Sequence, residues 1–455
     1  MKILITGATG LIGKEIGKKL FSEGHEIIVL TRNIDDGKVS LPFPAKLLPW
    51  KHFSDPLPSV YFDNIDSVIH LAGESIASGR WTSERKKIIH DSRIIGTRNI
   101  VNAIKSSNRS VKQFISTSAI GIYGNEKEWV DEKSPLGKDF LAQVCKQWEH
   151  EAQELQGIGV NVINPRIGIV LSSRGGAMDK MLPIFSLGLG GVIGSGKQWM
   201  SWIHQEDLTN MFIHFINNPE LKGAFNAVSP NPVSNKDFSK KLATALGRNL
   251  FFPVPSIFLK LALGEMSDLV IKGQRVSCQK ITSHGFKFKY TELDLTLENI
   301  CSIMRSGHQE VFSEIWLPKK TTEVFPFFTD EKNLEKLTPK YLNFNVLKKS
   351  TETINEGTLI DYQLKLHGFA IKWRTLIESW EPGKKFVDSQ IRGPYKIWHH
   401  THEFEELAGG TLMRDRVLYK LPMGWIGQLI SGPFVKSDVA RIFAYRKKII
   451  AQIFY

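Results

Sequence analysis

The spacing of apolar positions changes character along the chain. Over about residues 1–170, short and uniformly apolar runs alternate with stretches whose apolar residues recur at helical spacing. The runs fall at residues 3–5, 27–30, 67–71, 113–116 and 160–163. Runs of this length, apolar on both faces, predict strands of a parallel sheet covered on both sides. The stretches at 92–105 and 140–155 predict two of the covering helices. The expected fold is α/β, a doubly wound parallel sheet. From about residue 174 to 306 the pattern gives way to glycine-rich loops and turns punctuated by Pro230, Pro232, Pro253 and Pro255. This predicts a smaller lobe closing over the C-terminal edge of the sheet.

Beyond residue 310 the period becomes two. Ile360, Tyr362, Leu364 and Leu366 fall on one face, with Asp361, Gln363 and Lys365 opposite, and Met413, Asp415, Val417, Tyr419 and Leu421 repeat the pattern. One strand is predicted over 311–317 and a helical stretch over 322–337. A closing helix carries Val435, Val439, Ile442, Phe443, Ile449, Ile450 and Ile453 at helical spacing. Strand, short helices, antiparallel strands and one long helix predict an α+β module, a curved sheet gripping a helix. The expected domains are 1–306, with its lobe at about 174–306, and 310–455. There is neither an internal repeat nor a low-complexity tract.

A chain of 455 residues exceeds one ordinary core, in keeping with this division. The net charge of +13 is spread over both parts and forms no basic stripe interleaved with aromatics. Nucleic acid is therefore not expected as a partner, whereas small anionic ligands fit a mild basic excess. Cys145, Cys278 and Cys301 are far apart and match no metal or disulfide spacing, as expected in a reducing cytoplasm. The chain enters its first strand at once, so no signal peptide is expected, and no apolar run approaches the roughly 18 residues of a membrane span. A cytoplasmic location without membrane insertion is expected.

The sharpest chemical signal lies in residues 1–13. After the first apolar run comes Thr6-Gly7-Ala8-Thr9-Gly10-Leu11-Ile12-Gly13, leading into a helix through Ile16 and Leu20. Glycines at this junction give a tight turn, a bare backbone for a pyrophosphate, and close helix–strand packing, with free N–H groups at the helix start for the phosphates. The spacing is G-x-x-G-x-x-G and not G-x-G-x-x-G. The second run ends Val29-Leu30-Thr31-Arg32-Asn33, with no carboxylate until Asp35. The guanidinium of Arg32 suits a 2′-phosphate, so NADP(H) is expected in preference to NAD.

With these residues the chain resembles the extended short-chain dehydrogenase/reductases, whose domain is Rossmann-like. The likeness rests on residues 6–13, on Ile69-His70-Leu71-Ala72-Gly73-Glu74, and on 118–124 ending in Tyr123-Gly124. More narrowly it resembles their atypical, nucleoside-diphosphate-sugar-epimerase-like branch, through Arg80-Trp81 to Ser92-Arg93, Cys145-Lys146-Gln147-Trp148-Glu149, residues 198–207 and Gly273-Gln274-Arg275-Val276. The resemblance covers about residues 1–300. It implies a cofactor site formed by Thr6, Gly7, Thr9, Gly10, Leu11, Ile12 and Gly13, by Arg32, by Leu71, Ala72, Gly73 and Glu74 after the fourth strand, by Arg80, and by Lys146 at the ribose.

The wider family pairs Tyr and Lys one helical turn apart and adds a Ser or Thr after the fifth strand, so that the ammonium lowers the phenol's pKa. Here Lys146 is retained, but Ala142 stands four residues earlier and Ala119 takes the Ser/Thr place, four residues before Tyr123. Thr117 and Ser118 are neighbours that strand alternation points differently, and Tyr123 reads as structural. The catalytic residues are thus unknown. The atypical branch shares this loss.

Residues 191–197, Gly-Val-Ile-Gly-Ser-Gly-Lys, imitate the start of a phosphate-binding P-loop, but Gln198 follows where a magnesium-binding hydroxyl is needed. Trp199, Trp202 and His204 beyond it are candidate substrate-pocket residues. In the C-terminal module His400 and His402 share a strand face with Trp398 and Phe404, while His399 points away. No carboxylate or cysteine joins that face at ligand spacing, so no metal is expected. By its order of elements, by Gly393-Pro394-Tyr395 and by the 398–404 run, residues 310–455 resemble the polyketide-cyclase/START-like (SRPBCC) helix-grip superfamily. That resemblance implies an apolar cavity for a hydrophobic ligand, with Tyr362, Trp373, Trp380, Phe386 and Trp398 as candidate lining. The expected function is an NADP(H)-dependent oxidoreductase or epimerase/dehydratase-like enzyme acting on a small or hydrophobic substrate. The alternative is a non-catalytic NADP(H)-binding redox sensor or hydrophobic-ligand carrier.

Overall fold

The computed structural model describes residues 1–108, 110–250 and 253–455. The chain divides into two compact units, one of Met1–Ile34 and Ala45–Ser302, the other of Asp35–Pro44 and Ile303–Tyr455. The linear reading keeps residues 35–44 with the first domain, whereas they cluster with the second.

The first unit is built on seven strands: β1 (Lys2–Thr6), β2 (Glu26–Thr31), β3 (Lys46–Pro49), β4 (Ser67–His70), β5 (Gln113–Ser116), β6 (Asn161–Ile167) and β7 (Gly223–Ala227). Their order across the sheet is β7-β6-β5-β4-β1-β2-β3, and every pairing is parallel. The central strands are apolar on both faces because helices cover both, so Ile3, Leu4, Ile5, Val68, Ile69, Phe114 and Ile115 are all fully buried. The strand order reverses between β1 and β4. In open sheets of this kind the crevice at the C-terminal ends beside such a reversal is where ligands bind. The covering helices that matter here are α1 (Leu11–Ser22), α2 (Ser83–Lys105) and α3 (Phe140–Gln153). α2 starts nine residues before its apolar stripe becomes legible, since Thr82 caps it by accepting from Arg85 N at 3.1 Å.

The second unit is α+β. Strands β8 (Gln309–Leu317), β9 (Asn345–Lys349), β10 (Leu359–Leu366), β11 (Phe369–Glu381), β12 (Lys385–Arg392), β13 (Ile397–Leu407) and β14 (Gly410–Lys420) form one antiparallel sheet in the order β8-β14-β13-β12-β11-β10-β9. The helical stretch read over 322–337 is two helices, α4 (Thr321–Phe328) and α5 (Lys332–Leu337), and the chain closes with α6 (Gly424–Phe454). Two apolar clusters fill the space between sheet and helices. Phe325, Phe328, Phe404, Ile450 and Phe454 form one, and Val417, Tyr419, Val439 and Phe443 the other. No helix among the described residues is long and apolar enough to cross a membrane.

Candidate functional site

The turn after β1 is set by its glycines. Gly7 has φ +72°, a conformation that L side chains rarely adopt, and a Cβ there would come within 3.0 Å of the Leu71–Ala72 backbone. Gly13 is held against the strand exit: a Cβ would overlap the Gly7 carbonyl and lie 2.6 Å from Ala8 Cα. Gly10 N–H donates to Gly7 O at 3.0 Å, and the first helical bond of α1 runs from Lys14 N–H to Gly10 O at 3.1 Å. The N–H groups of Leu11, Ile12 and Gly13 therefore precede any helical acceptor, and no side chain caps α1. A helix start with Gly10 exposed, Leu11 and Ile12 half-buried and no side-chain cap among the described residues, beside a glycine turn, is a fit for a pyrophosphate.

The neighbouring walls are fixed by a buried hydrogen-bond chain. Thr6 Oγ1 lies 2.7 Å from His70 Nδ1 and accepts from Ala72 N–H at 3.2 Å, while His70 Nε2 lies 3.0 Å from Thr97 Oγ1. Burial, assisted by Arg93, holds the His70 imidazole neutral, with its pKa pulled down to about 3. Arg93 is half-buried, donates to the carbonyls of Glu74 and Ile89, stacks over Trp148, and crowds Gly73, where a Cβ would lie 3.3 Å from its guanidinium. Glu74 sits between two arginines, 3.4 Å from Arg32 and 3.5 Å from Arg85. The Arg32 side chain is 79% exposed at the end of β2, and its guanidinium is open to a further anion.

Thr6, Gly7, Thr9, Gly10, Leu11, Ile12 and Gly13 form the turn, and Leu71 to Glu74 form the facing wall. Arg80 directs its guanidinium to the carbonyls of Ala262, at 2.9 Å, and Leu261. Lys146 is exposed on α3, and Ala142, one turn before it, is buried. Tyr123 is not free for proton transfer. Its hydroxyl donates to Asn226 Oδ1 at 2.7 Å and accepts from Arg166 at 2.9 Å, and burial pushes its pKa up to about 12. Arg166 in turn grips Glu149 through two bonds of 2.9 Å, a buried fork that ties β6 to α3. Trp202 is fully buried and bonds Asn231 O at 3.0 Å. His204, stacked on Tyr290 and lowered by burial to about 4, caps the following helix. Trp199 packs against the Arg275 guanidinium. The P-loop-like segment at 191–197 is a turn with positive φ at Gly194 and Gly196, pinned by Asn235 to Ile193 N–H at 2.9 Å.

The family model described as the NAD dependent epimerase/dehydratase family matches residues 3–228, and one described as Domain of unknown function (DUF1731) matches residues 254–300. The epimerase family protein YfhF of Bacillus subtilis is 36% identical over 302 residues, which cover 66% of this chain and 98% of that protein. The chain belongs to the NAD dependent epimerase/dehydratase family. Another member, the chloroplastic SDR39U1 homolog of Arabidopsis thaliana, is 39% identical over 302 residues, covering 64% of this chain and 84% of its own. Among solved structures, human epimerase family protein SDR39U1 (isoform 2) with NADPH superposes with a TM-score of 0.60 at 30% identity, over 66% of this chain and 99% of that one. The nucleoside-diphosphate sugar epimerase of Corynebacterium glutamicum gives 0.54 at 31%, over 66% and 58%. The first unit is thus an NAD(P)-binding Rossmann-like epimerase-family domain.

In the second unit, a cavity of about 200 Å³ lies between the sheet and α6, α4 and α5. Tyr362, Trp373, Phe386 and Trp398 line it, as do Ile360, Leu364 and Leu366, whereas Trp380 packs beside Phe325 and Phe386 in the neighbouring aromatic cluster. Its floor is polar. Asp388, His400, His402 and Arg446 face it. The expectation that no carboxylate joins the histidine face needs correcting. Strand pairing sets Asp388 opposite His400 and Asp415 opposite His402, so the carboxylates arrive from the two neighbouring strands. Burial would raise the Asp388 carboxyl, but His400, His402 and Arg446 hold it below its ordinary value. This cluster escaped the sequence reading because only the register of three strands brings it together.

Proposed function

We propose that the first unit binds NADP(H) and transfers hydride to or from a small or hydrophobic substrate without a tyrosine acid. The observation that carries this is the exposed Arg32 guanidinium beside an uncapped helix start. The open N–H groups of Leu11, Ile12 and Gly13 would take the pyrophosphate, Arg32 the 2′-phosphate, and Lys146 the ribose. The bound nicotinamide would supply the hydride. The structure of the human relative with NADPH supports the same choice. For the second unit we propose a helix-grip, START-like role, its apolar cavity holding a hydrophobic ligand.

A second reading is favoured by a particular observation: alanines occupy positions 119 and 142, and Tyr123 is locked by Arg166 and Asn226. On that reading the protein binds NADP(H) without turnover, as a redox sensor or ligand carrier. The two part in one experiment. The purified protein is incubated with NADPH and a carbonyl panel, or NADP⁺ and an alcohol panel, and nicotinamide absorbance is followed under single-turnover conditions. Oxidation or reduction with any substrate class supports hydride transfer. Tight NADPH binding with no absorbance change across the panels supports the carrier, and failure to bind NADPH removes both.

A further inference from the structure

Hydride transfer in the first unit gives no role to the buried polar cluster under the cavity of the second. His400 and His402 stand two residues apart on β13, so both imidazoles project from one face. Each turns one nitrogen to each of two carboxylates. His400 Nδ1 and His402 Nε2 lie 3.5 and 3.0 Å from Asp388 Oδ2, while His400 Nε2 and His402 Nδ1 lie 3.4 and 2.7 Å from Asp415 Oδ1. Asp388 borders the cavity with the two histidines, and Asp415 is paired with Arg446 at 3.2 Å.

We propose that Asp388 Oδ2, His400 Nδ1 and His402 Nε2 bind a divalent transition-metal cation of the zinc or cobalt type at the cavity floor. Donor atoms of the three residues lie within 4.8 Å of one another. The 3.0 and 3.5 Å separations from Asp388 bracket the donor–donor edge of a tetrahedral site, roughly 3.4 Å for bonds of about 2.1 Å. A cation on the Asp388 side requires the protons of both rings to sit on His400 Nε2 and His402 Nδ1, the nitrogens that face Asp415. A carboxylate behind each metal-bound histidine is the arrangement that fixes tautomer and ring orientation. The cation would replace the 3.0 Å hydrogen bond between His402 Nε2 and Asp388 Oδ2; His400 Nε2 and Asp415 Oδ1, on the other side of the rings, are buried without an aligned hydrogen bond among the described residues. Arg446 pairs with Asp415 at 3.2 Å but also acts on Asp388 and reaches His402 Nδ1 at 3.5 Å, so a cation at Asp388 would share the floor with one guanidinium. Two imidazoles and one carboxylate suit zinc, cobalt, nickel or ferrous iron better than calcium or magnesium. Three protein ligands leave a coordination position open to a cavity walled by Tyr362, Trp373 and Ile442. The ligand class that fits is an apolar molecule presenting one oxygen donor, such as a carbonyl, alkoxide or carboxylate.

The test uses the untagged full-length protein after chelator treatment. Zinc titration by calorimetry and cobalt titration by visible absorption are expected to show one saturable site per chain and a cobalt d–d spectrum of low-symmetry, protein-bound metal. Asp388→Asn and His402→Gln are each expected to lower affinity at least tenfold, and Asp415→Asn about ten- to a hundredfold. Near-ultraviolet circular dichroism, to which the clustered Trp, Tyr and Phe rings of the second unit contribute, reports whether each variant is folded. His402→Cys guards against loss of the fold by the other changes, since a retained site would then display thiolate-to-cobalt charge transfer. The proposal is overturned if the wild-type protein binds neither metal with a dissociation constant below about 10 μM. It is equally overturned if folded variants bind as the wild type does.

Discussion

At the scale of residues, the proposed NADP(H) reading makes Arg32 the test of cofactor choice, and His70 carries a pH response. Charge-assisted hydrogen bonds to phosphate contribute roughly 1.5–3 kcal/mol. Arg32→Ala should therefore weaken NADPH about ten- to a hundredfold and leave NADH nearly unchanged, as read by fluorescence titration of both. An equal loss for the two cofactors would place the 2′-phosphate elsewhere. His70 acts on stability. Its folded pKa of about 3 lies below the ordinary 6.5, so the unfolded chain binds the additional proton between those values. Stability is thus whole above about pH 6.5 and is lost as pH falls toward 3. At pH 5 the loss is about 2 kcal/mol from this group alone. Urea unfolding at pH 7.5 and 5.0 checks it: His70→Asn should show a pH-dependent loss smaller than the wild type's by that amount.

At the scale of elements, the contact between α1 and β1 is so close that backbone faces backbone. Gly13→Ala would push its methyl into the Gly7 carbonyl and Ala8 Cα, atoms that cannot rotate aside. The helix start must then move off the strand, and NADPH affinity should fall by at least about tenfold with the overall circular dichroism retained. The tie between β6 and α3 gives a different signature. Glu149→Gln would leave the Arg166 guanidinium buried without its carboxylate, at a cost of about 3–5 kcal/mol in chemical denaturation. A loss below 1 kcal/mol would show that water reaches the pair.

Elements were legible in the sequence wherever one face or both are uniformly buried. β1, β2, β4 and β5 lie within a residue or two of their apolar runs. Edge strands β3 and β7 went unread, because Lys46–Pro49 is only half buried and Gly223–Ala227 opens on glycine and alanine. The glycine turn could be read because its chemistry is contiguous. Of the Asp388–His400–His402 cluster only the shared face of His400 and His402 could be read, because the pairing register that brings Asp388 to them is a tertiary fact.

For the molecule as a whole, a ligand that binds only the folded first unit should stabilise that unit by mass action. At a hundred times its dissociation constant the gain is about 2.7 kcal/mol. Differential scanning calorimetry with and without NADPH is therefore expected to raise the transition that reports the first unit's unfolding. A thermogram unmoved by saturating NADPH would contradict binding to the native Rossmann-like domain.

The second unit draws on residues 35–44 as well as on everything from 303 onward. Val39 packs into its aromatic cluster, and Leu41 O accepts from Trp316 N–H at 3.0 Å. A nascent chain therefore makes this piece early and its partners only after some 260 intervening residues have been synthesised. A single cut after residue 302 would therefore leave Val39 and Leu41 behind, without the aromatic cluster and the Trp316 N–H that they meet in the second unit.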